Sequence, residues 1–242
     1  AIDRSGYRIA SLAIAMGAKF FDGDTPEVTD DGFKAAMKLL YDWHRDGTMS
    51  KQIWGSVGGT SYRGANEEFA NGKVALYVSG NWQIPQFVKT IGDGFDWHAA
   101  ANPCGPASCT GMPGGAELVA YKSTQHPKEV ARVMDWFASE PVYTEYHART
   151  LFLTTDVALA KKGIPYKTDL PAVKTSLTVG AAEVAKISPI AWRLAGYAQN
   201  RAILNPMIVR LNQAIAGEMS LDDALARMSS DLADALKAQA AK

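Results

Sequence analysis

The chain has no excess of charge of either sign. Its 242 residues carry 25 Lys and Arg against 25 Asp and Glu, so the formal net charge is zero. Binding nucleic acid requires a basic surface to neutralise phosphates, and that footprint is missing, so nucleic acid is excluded as an expected partner. Long apolar runs are missing too. The longest, around Ile9 to Met16, is too short to span a bilayer and is broken by Ser11. The opening Ala1-Ile-Asp-Arg-Ser-Gly has neither the basic segment nor the cleavage site of a signal peptide. Because Ile2, Ile9, Leu12, Ala13 and Met16 share a helical face with no cap before them, the chain reads as beginning inside a helix, and hence as a fragment or a processed product.

Catalytic signatures are equally scarce. No Gly-x-x-x-x-Gly-Lys-Ser/Thr, Gly-x-Ser-x-Gly or His-Glu-x-x-His occurs, which removes the anchors for nucleotide, serine-hydrolase and zincin chemistry. His44, His98, His126 and His147 are scattered, and none pairs with a cysteine at zinc-site spacing, so no metal or other cofactor is expected. Glu67-Glu68 and Asp222-Asp223 are adjacent acids on expected helices, where neighbours point to different faces, and they read as solvated surface. Glu117, just after Gly114-Gly115, is the one acid near an expected cleft, and no second acid is placed to pair with it as glycosidases require. There are two cysteines, Cys104 and Cys109. They either close a small loop or stand as free thiols. A bridge needs an oxidising compartment and would stabilise by less than the roughly 3 kcal/mol of a 15-residue loop.

What the chain does have is 47% hydrophobic residues, enough for a sizeable core, and a mixture of helix and strand patterns. Asp22-Gly23 marks a hairpin between residues 19 and 28. Phe33, Ala36, Met37, Leu40 and Tyr41 predict a helix from Asp30 or Asp31 to Asp46, stopped by Gly47. Short helices are expected up to Phe69, from Pro85 to Ile91, and after Pro127 and Pro141. Strands are expected at Val74–Val78, Phe95–Ala101 and Glu117–Tyr121, with an extended return at Leu151–Thr155. Asn205-Pro206 reads as a cap and first position of a helix ending at Gly217, and Ser220 to Asp223 as a capping box for a last helix bearing Leu225, Met228, Leu232 and Leu236. These are too few strands for a complete doubly wound sheet, so the missing ones are expected upstream.

The most informative stretch is Phe69-Ala-Asn-Gly-Lys-Val-Ala-Leu-Tyr-Val-Ser-Gly-Asn-Trp82. It reads as a helix end, a glycine stop at Gly72, a buried strand, and a turn presenting Asn81 and Trp82. Binding clefts lie outside the carboxyl ends of strands in α/β proteins, so Trp82 is either a ligand contact or a core tryptophan under a loop. Tryptophan faces cover the apolar face of a sugar ring while amides, guanidinium and backbone N–H groups satisfy its hydroxyls. By loop position and chemistry, Trp54, Trp82, Trp192 and Arg63 are the better ligand candidates, and Arg63 or Arg201 in the cleft would favour an anion; Trp97 and Trp136 read as core.

An ordered series of these segments resembles a known family. Phe69-Ala-Asn-Gly-Lys-Val-Ala-Leu with Ser79-Gly-Asn-Trp82, Asn102-Pro103 to Gly114-Gly115-Ala-Glu-Leu-Val, and Ser123-Thr-Gln-His-Pro-Lys-Glu-Val-Ala131 are similar to consecutive motifs of the extracellular solute-binding proteins of carbohydrate ABC transporters, the group that includes maltose-binding protein. Leu211 to Gly217 and Ser220 to Leu225 resemble that family's closing helices.

The resemblance implies an α/β, periplasmic-binding-protein-like two-lobe fold, of which this chain covers mainly the C-terminal lobe. It places residues 1–101 and 156–242 in that lobe and makes 102–155 an excursion into the N-terminal lobe. It implies a non-enzymatic protein that captures a sugar between lobes and delivers it to membrane permease subunits. Trp82 takes the place of the family's sugar-stacking tryptophan, and Gly114 and Gly115 that of a loop whose backbone approaches ligand. A periplasmic location, or an extracellular one in a Gram-positive source, would permit the Cys104 to Cys109 bridge. The N-terminal part of the same protein is then a required partner. A sugar acid, sulfonated sugar, polyol or other polar solute on the same fold is the alternative, followed by a glycoside-processing enzyme using Glu117 and by a helical interaction domain without ligand.

Overall fold

The computed structural model describes residues 1–54 and 64–240, and these fall into two compact units. Unit 1 comprises Ala1–Ser79, Ala101–Pro113 and Glu183–Lys242; unit 2 comprises Gly80–Ala100 and Gly114–Ala182.

Unit 1 opens with α1 (Gly6–Ala15), whose Ile9, Ala10, Ala13 and Ile14 are buried. The helix starts later than the apolar spacing predicts. Ile2 lies outside it, in an isolated parallel bridge with Val78, and Ser5 occupies the N-cap position. Gly17, at φ +106°, ends the helix in a conformation that a side chain would strain. A Cβ on Gly6 would stand 2.5 Å from the Leu204 carbonyl oxygen, so glycine is what lets α1 approach the later helix that closely.

The expected hairpin is present as β1 (Phe21–Asp22) and β2 (Thr25–Pro26), with Phe21 opposite Pro26. Next comes α2 (Asp31–Arg45), which buries Phe33, Ala36, Met37 and Leu40 at helical spacing. Asp30 caps it: Oδ1 accepts from the Phe33 N–H at 2.9 Å, and Oδ2 accepts from the Lys19 N–H at 3.0 Å. Asp30→Ala removes both bonds, and a fall in stability of about 1 kcal/mol is expected in urea unfolding. The short α3 (Ala65–Ala70) follows.

Unit 2 contains α4 (Ile84–Thr90), α5 (Pro127–Ala138), α6 (Glu140–Thr150), α7 (Val157–Lys162) and α8 (Pro171–Val184), the last running on to the first residues of unit 1's third segment. Ile84, Leu151, Val173 and Leu177 form its core, with Val88, Trp97, Leu153 and Tyr166 packed against them. Trp97 is half-buried and packs against this core, edge-on to Phe87 at 5.6 Å. Trp136 is not a core ring, because α5 buries no residue and Trp136 is 62% exposed.

The chain returns to unit 1 with α9 (Pro189–Gly196), α10 (Asn200–Ala216) and α11 (Leu221–Ala240). Pro206 lies inside α10 instead of at its start. Ala202 and Ile203 are buried upstream of it, and that burial carries the helix through a residue that removes one backbone hydrogen bond. Gly217, at φ +82°, closes α10. Ser220 Oγ accepts from the Asp223 N–H at 3.0 Å to start α11, and Met228 and Leu232 are buried. Arg210 grips Asp231 with two bonds of 2.7 and 3.0 Å, joining α10 to α11.

The strands expected at 74–78, 95–101 and 117–121 and the extended return at 151–155 are not strands here. Among the described residues the hairpin is the one sheet, and Val78 makes a single bridge. An apolar segment becomes a strand only where its N–H and C=O groups meet a neighbouring strand. Leu118, Val119 and Tyr121 are left exposed, Tyr121 at 77%.

The limits of the units also cut across the boundaries expected at 101 and 155. Residues 101–113 belong to unit 1 because their loop is fastened to the end of α1: the Ala107 N–H donates to the Ala15 carbonyl at 3.0 Å. A Cβ on Gly105 would stand 2.3 Å from that same oxygen. Cys104 and Cys109 are joined as a disulfide within this loop. Residues 156–182 belong to unit 2 because Val173 and Leu177 of α8 pack on Ile84 and Leu151.

Candidate functional site

Trp82 sits on a 3-10 turn, Asn81–Gln83, that leads directly into α4. Gly80 before it is extended, with φ −149° and ψ 170°. A Cβ on Gly80 would fall 2.0 Å from the Trp82 Cζ3 and 2.4 Å from two further ring carbons. The indole therefore lies against the bare backbone of Gly80, and no other residue leaves room for it. One part of the ring is covered while 38% of the residue stays exposed. An aromatic side chain held in this way keeps part of its ring open to solvent.

Asn81 is half-buried, its Cβ 4.0 Å from the position a Cβ would take on Gly180 of α8. Leu153 approaches the same point at 3.2 Å. The turn bearing Trp82 thus rests on α8 and the segment after α6. Gly114 and Gly115 also belong to unit 2, on an exposed coil segment where a Cβ on Gly115 would meet nothing. The structure brings Asn81 and Trp82 together on one turn and puts the two glycines on another segment of the same unit.

In unit 1 the candidates separate. Trp54 is a core residue and not a ligand contact: it is completely buried, its Nε1–H donates to the Ile2 carbonyl at 2.8 Å, and its ring stands edge-on to His44 at 4.9 Å. An enclosed ring has no face to offer. Trp192, on α9, is 54% exposed. Arg63 lies outside the described residues. Arg201 lines a shallow groove of about 340 Å³ between α10 and α11, together with Asn205, Pro206 and Asp231. Glu117 stands on an exposed coil segment of unit 2.

A polar cluster that sequence reading did not find holds the segment leading to Trp82. The Tyr77 hydroxyl donates to Asp3, whose other oxygen accepts from the Ala65 N–H at 2.9 Å, and Arg8 pairs with Asp3 at 3.2 Å. These partners lie up to 74 positions apart, so no local signal exists. Burial, and then the bond to Asp3, raise the Tyr77 phenol to about 12. Burial likewise raises Tyr7, which donates to the Met112 carbonyl at 2.8 Å, to about 12. A phenol raised on folding contributes stability that is fully present below its unfolded value, near 10, and is lost as pH rises through 12. Ultraviolet titration is expected to show two phenols ionising near 12, one of them lost in Tyr7→Phe, with stability falling over that window.

With the geometry in hand, comparison with known proteins places the fold. Residues 3–144, more than half of the chain, match the family of bacterial extracellular solute-binding proteins. The chain belongs to that family. No curated protein shows significant sequence similarity to it. Solved structures of solute-binding proteins are similar along nearly its whole length. The sugar-binding protein MalE from Xanthomonas citri is 21% identical with a TM-score of 0.69, covering 99% of this chain and 58% of that one. The GacH receptor of Streptomyces glaucescens is 19% identical with a TM-score of 0.75, covering 98% and 58%. MalE from Bdellovibrio bacteriovorus, solved with maltotriose, is 16% identical with a TM-score of 0.72, covering 98% and 60%. The neighbours are two-lobe periplasmic-binding-protein folds, and this solute-binding protein has the fold of a part of them, spanning about 58–60% of their length.

Proposed function

We propose that this solute-binding protein is the sugar-capturing component of an ABC importer, working outside the cytoplasmic membrane, and that Trp82 is the platform on which a sugar ring stacks. The observation that carries this reading is the indole laid against Gly80 and still open to one side. A preorganised ring loses little side-chain freedom on binding, which is where a small polar ligand gains affinity. Asn81 supplies an amide beside the ring for hydroxyls, and the exposed Gly114 and Gly115 allow backbone to approach a ligand. Capture takes place between two lobes, and the closed form is handed to membrane permease subunits without chemistry on the sugar.

The rest of the binding surface comes from an N-terminal part of the same protein, matching the portion of its relatives that this chain does not cover. The exposed Leu118, Val119, Tyr121, Val133 and Trp136 of unit 2 support this, since surface of that kind is normally covered. The test is a thermal-shift screen of the native full-length protein against mono- and oligosaccharides, with sugar acids, sulfonated sugars and polyols as comparison sets. A saturable rise in midpoint with a neutral sugar is expected. A response confined to the acids would change the ligand class, and no response to any sugar would overturn the reading.

A further inference from the structure

Gly180 stands inside α8, three residues past Leu177 and seven past Val173, so it continues the helix face on which those two side chains are buried. Glycine is disfavoured within a helix relative to alanine. Nothing in the backbone calls for it here, since Gly180 is not among the residues with positive φ. What it provides is room. A Cβ there would stand 3.2 Å from the Leu153 Cδ1 and 4.0 Å from the Asn81 Cβ. Each further carbon would reach about 1.5 Å beyond that, and in those directions Leu153 and Asn81 already fill the space.

Asn81, Trp82, Leu153 and Gly180 all lie within unit 2. The turn that rests on the glycine is short and closed on itself. The Gln83 N–H donates to the Gly80 carbonyl at 3.1 Å, and the Ile84 N–H donates to the Asn81 carbonyl. Bonds of this three-residue span hold each member of the turn against the next. Ile84, which follows, is 5% exposed in the same core cluster as Val173 and Leu177. One end of the turn is therefore anchored in the core, while the other, at Asn81, meets α8 where the side chain is missing. A displacement of Asn81 is passed directly to Trp82, the next residue, whose ring has the bare Gly80 backbone against it.

We propose, taking Trp82 as the stacking surface, that Gly180 is a positioning residue for it. By omitting a side chain, Gly180 sets the depth at which the Asn81–Gln83 turn seats on α8, and with it the height and tilt of the indole. Stability and binding make opposite demands on this position. Helix formation favours alanine, which also narrows the backbone freedom of the unfolded chain, whereas the seat of the turn favours glycine. Leu153 is the side chain that a new methyl would meet first, so it is where a second substitution can compensate.

The test uses the native full-length protein labelled with 5-fluorotryptophan, the Trp82 resonance being assigned by its loss in Trp82→Phe. Affinity is measured by calorimetry with the hexose or hexose disaccharide that gives the largest thermal shift. Gly180→Val is expected to move the Trp82 fluorine resonance in the sugar-free protein, to leave that of the buried Trp54 in place, and to weaken affinity about tenfold. Gly180→Ala is expected to weaken it about threefold with a thermal midpoint no lower than the parent's, a split that a purely structural role would not produce. Adding Leu153→Val to Gly180→Ala removes the carbon that the methyl meets, and is expected to bring affinity within about twofold of Leu153→Val alone. A Gly180→Val protein whose Trp82 resonance and affinity match the parent's overturns the proposal, as does a loss in Gly180→Ala that Leu153→Val does not restore. Trp82→Ala is run beside them. If it keeps full affinity, the platform reading fails, while the fluorine resonance in Gly180→Val still decides whether Gly180 seats the turn.

Discussion

Trp82→Ala is expected to lower sugar affinity by about 30-fold while leaving the unfolding midpoint close to that of the parent. The two halves of this expectation have separate causes. Truncating an aromatic anchor at a small-ligand site costs on the order of 2 kcal/mol, and each 1.4 kcal/mol is a factor of about ten in the dissociation constant. Stability is spared because the ring is 38% exposed and rests partly on the backbone of Gly80, outside the buried cluster formed by Ile84, Leu151, Val173 and Leu177. Gly80→Ala is a sharper version of the same experiment. The added methyl would overlap the ring, so affinity is expected to fall although the tryptophan is retained. Isothermal calorimetry and a urea melt on both variants check the pair.

Trp54→Ala is expected to do the reverse, with a loss of stability of about 3–5 kcal/mol and no change in ligand affinity once the protein is folded. The indole fills a sealed position against His44, and its N–H satisfies the Ile2 carbonyl. Removing it leaves a cavity and also an unpaired buried carbonyl, and the two costs act together. Because natural domains are stable by only about 5–15 kcal/mol, this one change takes a large share of the total. Trp54→Phe keeps most of the volume but not the donor, and is expected to lose less. A melt in denaturant, read by circular dichroism, separates the three proteins.

These two tryptophans mark the limit of what the sequence could reveal. Both follow a glycine-containing or loop-like stretch, and both read as binding candidates. What distinguishes them is tertiary: the backbone of Ile2, 52 positions away, closes over Trp54, whereas the Trp82 ring lies against Gly80, two positions away, and stays 38% exposed. Elements whose signals are local were legible. Asp30 before α2, Asp22-Gly23 in the hairpin and Ser220 before α11 each act on a neighbour within a few residues, and each is where the pattern puts it.

Elements that depend on distant partners were not. Residues 117–121 have the pattern of a strand, but pairing is decided by another segment, and among the described residues none is hydrogen-bonded to them as a sheet. Pro206 carries a start signal that the burial of Ala202 and Ile203 overrides. Trp136 has the spacing of a core residue but stays 62% exposed, because α5 packs on α6 through Phe137, whose ring stands edge-on to Tyr146 at 5.2 Å, and not through Trp136. The family itself was legible earlier than the fold, since the ordered motifs between Phe69 and Ala131 lie within the residues that match the solute-binding family.

The central claim is that a sugar ring lies on Trp82. A crystal structure of the native full-length protein, soaked with the sugar that gives the largest thermal shift, tests it most directly. The account predicts a pyranose or furanose ring stacked in van der Waals contact on the open side of the Trp82 indole, with Asn81 beside it and Gly80 behind the ring. A sugar bound with Trp82 out of contact, or with the indole swung off Gly80 into the core, would contradict it.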